Sequence, residues 1–190
     1  MITTPTPTQW RVNRIEYDRL GELGFFASKR VQLINGQVIE MSPMGSPHAT
    51  SVSLCLEFVK RIVGDGFLIR SQMPLVLGDW SEPEPDLAVI KGSVRDFEEK
   101  HPTCAELVIE VADSSLTLDR DMKSVLYAKA GVSEYWLVDM KGRCIHIFRE
   151  PEISNGRYRQ VMIFHEGESL SSLLNSTVVV AVSDLLPAKR

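Results

Sequence analysis

Apolar positions recur along this chain with two different periods, and each period predicts a type of secondary structure. In three segments they lie three or four residues apart, as on one face of a helix, and a glycine lies near the end of each segment. Elsewhere they alternate with polar residues or form short runs, as strands do. The predicted helices lie at residues 10–26, 48–63 and 119–130, and the predicted strands at 31–34, 37–41, 67–77, 86–90, 106–112, 134–140, 143–148, 158–164 and 177–182.

Two local signals in the first third of the chain are the most specific. Asn35-Gly36 lies between two apolar runs and predicts a β-hairpin in which Leu33 pairs with Val38. Ser46-Pro47 is typical of the start of a helix, which supports the second predicted helix. The predicted order is helix, hairpin, helix, three strands, helix and then several strands, so we expect an α/β fold with a mixed sheet.

Length and composition exclude several classes of protein. Its 190 residues predict a single domain at 10–190, preceded by a disordered tail at 1–9. No apolar run is long enough to cross a bilayer, so no membrane partner is expected. The three cysteines form no Cys-x-x-Cys pair, which indicates neither a zinc site nor a disulfide framework and favours a cytoplasmic location. The net charge of −4 argues against strong nonspecific binding to nucleic acid but allows local contacts.

Two carboxylates inside apolar strands are the first candidate functional residues. Asp86 follows Pro85 at a strand start, and Glu110 lies between Ile109 and Val111. A buried carboxylate is unfavourable without a partner, and a divalent cation such as Mg²⁺ can partner two of them. In the alternative interpretation Asp86 caps a turn and Glu110 faces solvent from a strand edge.

The helices around these strands add three further candidates. Lys123 lies one turn into the helix that follows Glu110 and can point back toward it, or else it is a surface lysine. His48 begins the second helix, where it either contacts phosphate, acts as a base, or stabilises a turn. Asp119 is either linked to the metal or is a first-turn helix charge that the helix dipole favours.

Taken together, five segments carry a resemblance to a known family, and they extend from about Trp10 to Leu186. The chain resembles the PD-(D/E)XK nuclease superfamily, and more closely its Uma-type branch of restriction-endonuclease-like proteins. The matching segments are Arg30–Pro43 with His48, Glu82–Asp86, Leu107–Ser115, Asp119 with Lys123 and Tyr127, and Gly131–Asp139. Two positions depart from the superfamily: Ala112 stands where a lysine is usual, and Gln32 stands where relatives often carry glutamate.

The resemblance implies a restriction-endonuclease-like core, with a central mixed sheet flanked by helices, an N-terminal hairpin and extra C-terminal strands. It also implies cleavage of DNA that depends on Mg²⁺, with Mn²⁺ as a substitute. Asp86 and Glu110 would hold the metal and Lys123, in place of the missing lysine, would orient the attacking water. His48, Gln32 and Asp119 would be accessory residues.

Several alternatives stay open at this point. The chain could be an inactive nuclease-fold module that binds nucleic acid or protein, and the substrate could be RNA. A third and weaker hypothesis is a two-carboxylate hydrolase that acts on sugars. The apolar segment 177–182 is consistent with a homodimer interface or with ordinary core.

Overall fold

The computed structural model describes residues 9–189, so the predicted tail at 1–9 lies outside the described residues apart from Gln9. The three predicted helices and all the predicted strands have counterparts in the structure. The α-helices are α1 (Arg14–Glu22), α2 (Ser46–Ile62) and α3 (Ser124–Lys129). The strands are β1 (Val31–Ile34), β2 (Gln37–Glu40), β3 (Phe67–Arg70), β4 (Leu87–Lys91), β5 (Leu107–Ala112), β6 (Glu134–Asp139), β7 (Cys144–Glu152), β8 (Arg157–His165), β9 (Ser169–Ser172) and β10 (Asn175–Ala181).

A six-stranded mixed sheet forms the centre of the molecule, in the order β3-β4-β5-β6-β7-β8. Only β5 and β6 pair in parallel among these neighbours, because the connection between them crosses over through a π-helical segment (Leu118–Lys123) and α3. The other neighbours are antiparallel. The predicted α/β fold, with helices flanking a central mixed sheet, is therefore confirmed.

Both faces of the sheet are covered, which explains why β5 is apolar along nearly its whole length. Every residue of β5 is buried. One face packs against α2 and β10, around Trp136 and Phe58. The other face packs against α3, around Tyr127 and Tyr135. A strand buried on both faces has no solvent side, so its lone carboxylate, Glu110, requires an internal partner.

The N-terminal hairpin forms as the turn chemistry predicts. Leu33 pairs with Val38, and Asn35 and Gly36 have φ values of 49° and 77°, which a two-residue primed turn requires. Leu33 also exchanges backbone hydrogen bonds of 3.3 and 2.7 Å with Glu82. This bridge holds the hairpin against the segment that leads into β4.

One predicted strand is shorter than expected. The extended segment at 67–77 ends at Arg70, because the chain turns at Gln72, whose φ is 52°. Two contacts hold this turn. The Ser71 hydroxyl donates to the backbone oxygen of Asp86, and the backbone N–H of Gln72 donates to the backbone oxygen of Pro85. Apolar pattern alone could not reveal the turn, since these contacts join distant segments.

The C-terminal region contains one strand that the apolar pattern does not predict. Strand β9 reads Ser-Leu-Ser-Ser and pairs with β10, where Leu170 lies opposite Val180. Val180 and Val182 are buried, as ordinary core residues would be, whereas Val179 is exposed. The homodimer remains a prediction.

Helix α2 is joined to the C-terminal segment by one buried side-chain hydrogen bond. The Ser51 hydroxyl donates to the backbone oxygen of Leu185 at 2.6 Å. We expect Ser51→Ala to lower the free energy of unfolding by about 1–3 kcal/mol, because the buried carbonyl loses its partner. Urea denaturation measures this. The matched control is Ser53→Ala on the exposed face of the same helix, where the hydroxyl bonds only to the helix itself and a similar loss would contradict the prediction.

Two further expectations concern the membrane and the thiols. No helix within residues 9–189 has the length and the hydrophobicity that a bilayer crossing needs. The three cysteines are free thiols: Cys55 and Cys144 are buried and Cys104 is exposed.

Candidate functional site

One cleft of about 350 Å³ collects the side chains that the sequence singles out. It opens where the hairpin, the start of α2, the start of β4 and the end of β5 meet. The candidate residues that line it are Gln32, His48, Asp86, Glu110, Asp119 and Lys123. Side chains separated by up to 91 positions in the sequence therefore face a common space.

Asp86 lies directly before β4 and is held by three donors. Its Oδ2 accepts a 2.9 Å hydrogen bond from the backbone N–H of Val111, and its Oδ1 lies 3.2 Å from His48 Nε2 and accepts from Gln72 Nε2 at 3.3 Å. Burial alone would raise the pKa of Asp86, but the bonds to His48 and Val111 and the charge of Lys123 hold it below its usual value. Asp86 is thus an oriented, ionised carboxylate.

Glu110 lies next to Asp86 across the strand pair. Leu87 is opposite Ile109, so extending the antiparallel register by one residue sets Asp86 beside Glu110 on the same face. Glu110 Oε1 accepts hydrogen bonds from Lys123 Nζ at 2.8 Å and from Tyr127 Oη at 2.6 Å. Burial raises the pKa of Glu110 to about 7 against the opposing charge of Lys123.

Lys123 is buried between two carboxylates. Its Nζ contacts Glu110 and lies 3.1 Å from Asp119 Oδ1. Burial lowers the pKa of Lys123, but the charges of Glu110 and Asp119 together raise it above its ordinary value. Lys123 is therefore a protonated ammonium inside the site and not a surface lysine.

The segment that carries Asp119 and Lys123 is π-helical, whereas the sequence predicts a plain α-helix from Asp119 to Ala130. Asp119 is buried inside this segment and accepts a hydrogen bond from the Ser115 hydroxyl. The backbone of the segment is held by Tyr135, whose hydroxyl donates to the backbone oxygen of Asp119 at 3.1 Å. Single π-turns of this kind occur frequently at functional sites.

The two remaining candidates differ in their contacts. His48 is half-buried at the first turn of α2, and its bond to Asp86 raises the pKa of the imidazole against the effect of burial. Gln32 is buried, and its Oε1 accepts from the backbone N–H of Glu84 at 3.4 Å. Gln32 therefore supports the segment that leads into Asp86.

Three residues at the site received no role from the sequence. Gln72 reaches Asp86 only because the chain turns after β3, Tyr127 reaches Glu110 from α3, and Arg30 lines the cleft while donating twice to Glu84. Pro74 lies close to this turn and indicates from the sequence that the strand at 67–77 is interrupted or lies at an edge, but it does not place the turn at Gln72. No pattern pointed to Tyr127 as a hydrogen-bond donor, because its position on α3 also suits a core residue.

The side chains of the cleft fit a hard divalent cation by their chemistry. Asp86, Glu110 and Asp119 are buried carboxylates, and Lys123 is the single buried ammonium among them. Neighbouring residues in register on an antiparallel pair have Cβ atoms about 4.5–5.5 Å apart, which suits two carboxylates that share an ion. Mg²⁺ ordinarily takes one or two carboxylates and completes its shell with water and phosphate oxygens.

Asp86, Glu110 and Asp119 do not form a tight trio. Within residues 9–189, one group of three ligand-type side chains has its ligand atoms within 4.8 Å of one another, and it lies elsewhere, at Asp139, Cys144 and His146. Asp86 and Glu110 are the two carboxylates of the cleft whose strands pair directly.

Known proteins resemble this chain in sequence pattern and in fold. The Uma2 family, described as a putative restriction endonuclease, matches residues 15–183. Among solved structures, a putative nuclease belonging to DUF820 from Anabaena variabilis superposes with a TM-score of 0.72 at 18% sequence identity. The match covers 92% of this chain and 97% of that one. No curated protein matches the sequence. Since the family match spans most of the described residues, the chain belongs to the Uma2 family of putative restriction endonucleases and has a nuclease-like fold.

Proposed function

We propose that the protein is a Mg²⁺-dependent endonuclease that hydrolyses phosphodiester bonds in DNA. The observation that carries this proposal is the meeting of Asp86 and Glu110, adjacent in register, with Lys123 in one cleft. The family match and the fold support a nuclease in general. The metal, the substrate and the roles of individual residues are our inference.

Asp86 and Glu110 would hold the metal, and Mn²⁺ would replace Mg²⁺. When bound, the ion lowers the pKa of a water molecule and stabilises the charge that develops on the scissile phosphate. Asp86 is oriented for this role by the N–H of Val111 and by His48. Glu110 is oriented by Tyr127.

Lys123 would orient the attacking water. An ammonium group has three N–H donors. Here one of them bonds to Glu110, whereas Asp119 Oδ1 lies 3.1 Å from Nζ and accepts no hydrogen bond. Donor capacity therefore remains for a water or a phosphate oxygen in the cleft. This arrangement lets a lysine on the helix substitute for the lysine that is missing at Ala112, with Asp119 as the residue that positions it.

DNA would approach over a rim that contains Arg30. Arg30 is the one exposed cation among the residues that line the cleft, and it lies against Glu84 at 2.8 Å. A phosphate group at the rim would compete with Glu84 for this guanidinium. Because the cleft is otherwise acidic, we expect binding of DNA to depend strongly on the divalent ion.

Plasmid nicking tests the proposal directly. Supercoiled DNA is incubated with the protein in Mg²⁺, in Mn²⁺ and in EDTA, and relaxation is expected only with a divalent ion. A single-stranded RNA of similar length serves as a second substrate. Absence of DNA cleavage in both ions would overturn the proposal, and cleavage of the RNA alone would make RNA the substrate.

A non-catalytic module that binds nucleic acid or protein is the second candidate function. Glu40, Glu84 and Asp113 also line the cleft, and this excess of negative charge opposes DNA in the absence of metal. Calorimetric titration with Mn²⁺ separates the candidates. If the wild type does not bind Mn²⁺ and Asp86→Ala gives the same titration, the non-catalytic module is favoured.

His48 provides a prediction about positioning. Because His48 helps to orient Asp86, we expect His48→Ala to weaken Mn²⁺ binding by about 10- to 100-fold, as is typical when a partner of a metal ligand is lost. Calorimetry measures the affinity, and cleavage at saturating Mn²⁺ should recover substantially. The control is His101→Ala, an exposed histidine that does not line the cleft. Unchanged Mn²⁺ affinity in His48→Ala would remove this role.

A further inference from the structure

A second cluster of chemically active side chains lies at the hairpin that joins β6 and β7. It consists of Asp139, Cys144 and His146, whose ligand atoms all lie within 4.8 Å of one another. Asp139 and Cys144 are buried and His146 is half-buried. None of the three lines the cleft of Asp86 and Glu110.

Strand pairing explains why the three side chains converge. Asp139 and Cys144 are opposite each other and close the hairpin. His146 follows two residues later on β7, so its side chain emerges on the same face as Cys144. The sequence shows no Cys-x-x-Cys or His-x-x-His spacing here, because the ligand set is assembled across two strands.

The observed distance suits tetrahedral coordination. Cys144 Sγ lies 3.6 Å from His146 Nε2. Zinc bonds of about 2.3 Å to sulfur and about 2.0–2.1 Å to nitrogen, at a tetrahedral angle, place these two atoms roughly 3.5 Å apart. The pair therefore needs little movement to accept an ion.

The turn between the strands orients the carboxylate. The N–H of Gly142 donates to Asp139 Oδ1 at 2.8 Å. A Cβ on Gly142 would collide with Asp139 Oδ2, so the carboxylate would have to move. Arg143 then anchors the start of β7 through a bidentate pair with Glu166. Hydrogen bonds such as the one from Gly142 to Asp139 commonly hold metal-binding carboxylates in place.

A second histidine of the sheet faces the same side as Cys144. His165 on β8 is opposite Cys144 in register, and the two side chains share a face of the sheet. His165 is exposed, so its imidazole is free to rotate toward an ion or to leave the position to water. Three protein ligands and one water are a common zinc shell, so the site does not depend on His165.

We propose that Asp139, Cys144 and His146 form a binding site for a thiophilic divalent ion, with Zn²⁺ as the expected occupant. One sulfur, one nitrogen and one oxygen ligand suit Zn²⁺, whereas Mg²⁺ takes oxygen ligands. Binding converts the Cys144 thiol to a thiolate and releases its proton to solvent. This site is independent of the proposed nuclease site, and either one can exist without the other.

A nucleophilic cysteine is the competing interpretation of the same cluster. Activation of a thiol requires a positive neighbour, such as an imidazolium, a lysine or a helix N-terminus. Here His146 Nε2 lies 3.6 Å from Cys144 Sγ, but the buried carboxylate of Asp139 lies beside both groups and disfavours a free thiolate. A divalent cation would be attracted by the thiol, the imidazole and the carboxylate together.

Cobalt substitution tests the site with the intact protein. Co²⁺ bound to a thiolate gives a charge-transfer absorption band that Co²⁺ bound to oxygen and nitrogen alone lacks. We expect this band to appear with one Co²⁺ per chain, to disappear when Zn²⁺ is added, and to be absent from Cys144→Ser. The matched control is Cys104→Ser, which removes the exposed cysteine and should keep the band.

Further variants keep the test decisive if Cys144→Ser fails to fold. Asp139→Asn and His146→Gln retain the thiol, and each should weaken Zn²⁺ binding by about 10- to 100-fold or more in a chelator competition. Glu110→Gln should keep the cobalt band, so failure of the nuclease proposal leaves this one standing. Absence of the band in the wild type, its loss in Cys104→Ser, or unchanged Zn²⁺ affinity in both Asp139→Asn and His146→Gln would overturn the site.

Discussion

Glu110→Gln is expected to reduce Mg²⁺-dependent cleavage of plasmid DNA by about 10³-fold, a loss of the size seen when one stabilising group is removed from a transition state. The change keeps the shape of the side chain and its place in β5 but removes the charge that would hold the ion. Tyr127 can still donate to the amide oxygen, and Lys123 keeps Asp119 as a partner. The loss should therefore come from chemistry and not from unfolding.

Initial rates of nicking at saturating Mg²⁺ measure this effect, with urea denaturation in parallel to show that the variant folds. The matched control is Glu106→Gln, one residue before the same strand, where the partly exposed carboxylate pairs with Lys91. It should cleave at the wild-type rate. A folded Glu110→Gln that cleaves as fast as the wild type would exclude Glu110 from catalysis.

Lys123→Met is expected to lower the free energy of unfolding of the metal-free protein by about 3–5 kcal/mol. The substitution keeps most of the side-chain volume but leaves Glu110 and Asp119 buried without a counter-charge, which is the costly way to break a buried ion pair. Cleavage should also be lost. Mg²⁺ should restore part of the lost stability, because the ion supplies the missing positive charge.

Urea denaturation in EDTA and in Mg²⁺ measures both parts of this prediction. Lys129→Met, at the exposed end of α3, is the control and should change stability little in either condition. Equal destabilisation of Lys123→Met in EDTA and in Mg²⁺ would count against an ion at this cluster. Unchanged stability in EDTA would show that Lys123 does not balance the two carboxylates.

Much of the fold follows from local physics and is visible in the sequence. The turn at Asn35-Gly36 requires positive φ values, so it predicted the hairpin and its register correctly. The helical spacing of Val52, Cys55 and Val59 in the sequence predicts α2, and these three side chains are buried in the structure. These signals are strong because they depend on neighbours in the chain.

Other features could not be predicted, because they depend on contacts between distant segments. The turn at Gln72 is held by backbone oxygens that precede β4, and β9 is a polar segment that becomes a strand only beside β10. The π-helical segment is likewise supported from β6 by Tyr135. Propensity and periodicity contain no information on such partners.

The candidate site, too, was predicted only in part from the sequence. By itself the sequence determined the location of Asp86 and Glu110, since a carboxylate in an apolar strand is conspicuous wherever the strand lies. Only the tertiary structure decided that Lys123 points inward, since a lysine at that position suits either face until the helix is docked.

The cysteines show the same division. From the sequence, Cys144 had no ligand partner at a recognisable spacing, and no zinc site was expected. In the structure, His146 lies on the same face of β7 as Cys144, and the pairing of β6 with β7 brings Asp139 to them. Sequence determines which chemical groups are present and which must be buried, but only folding determines which groups meet, because their distances in space are set by packing and strand register.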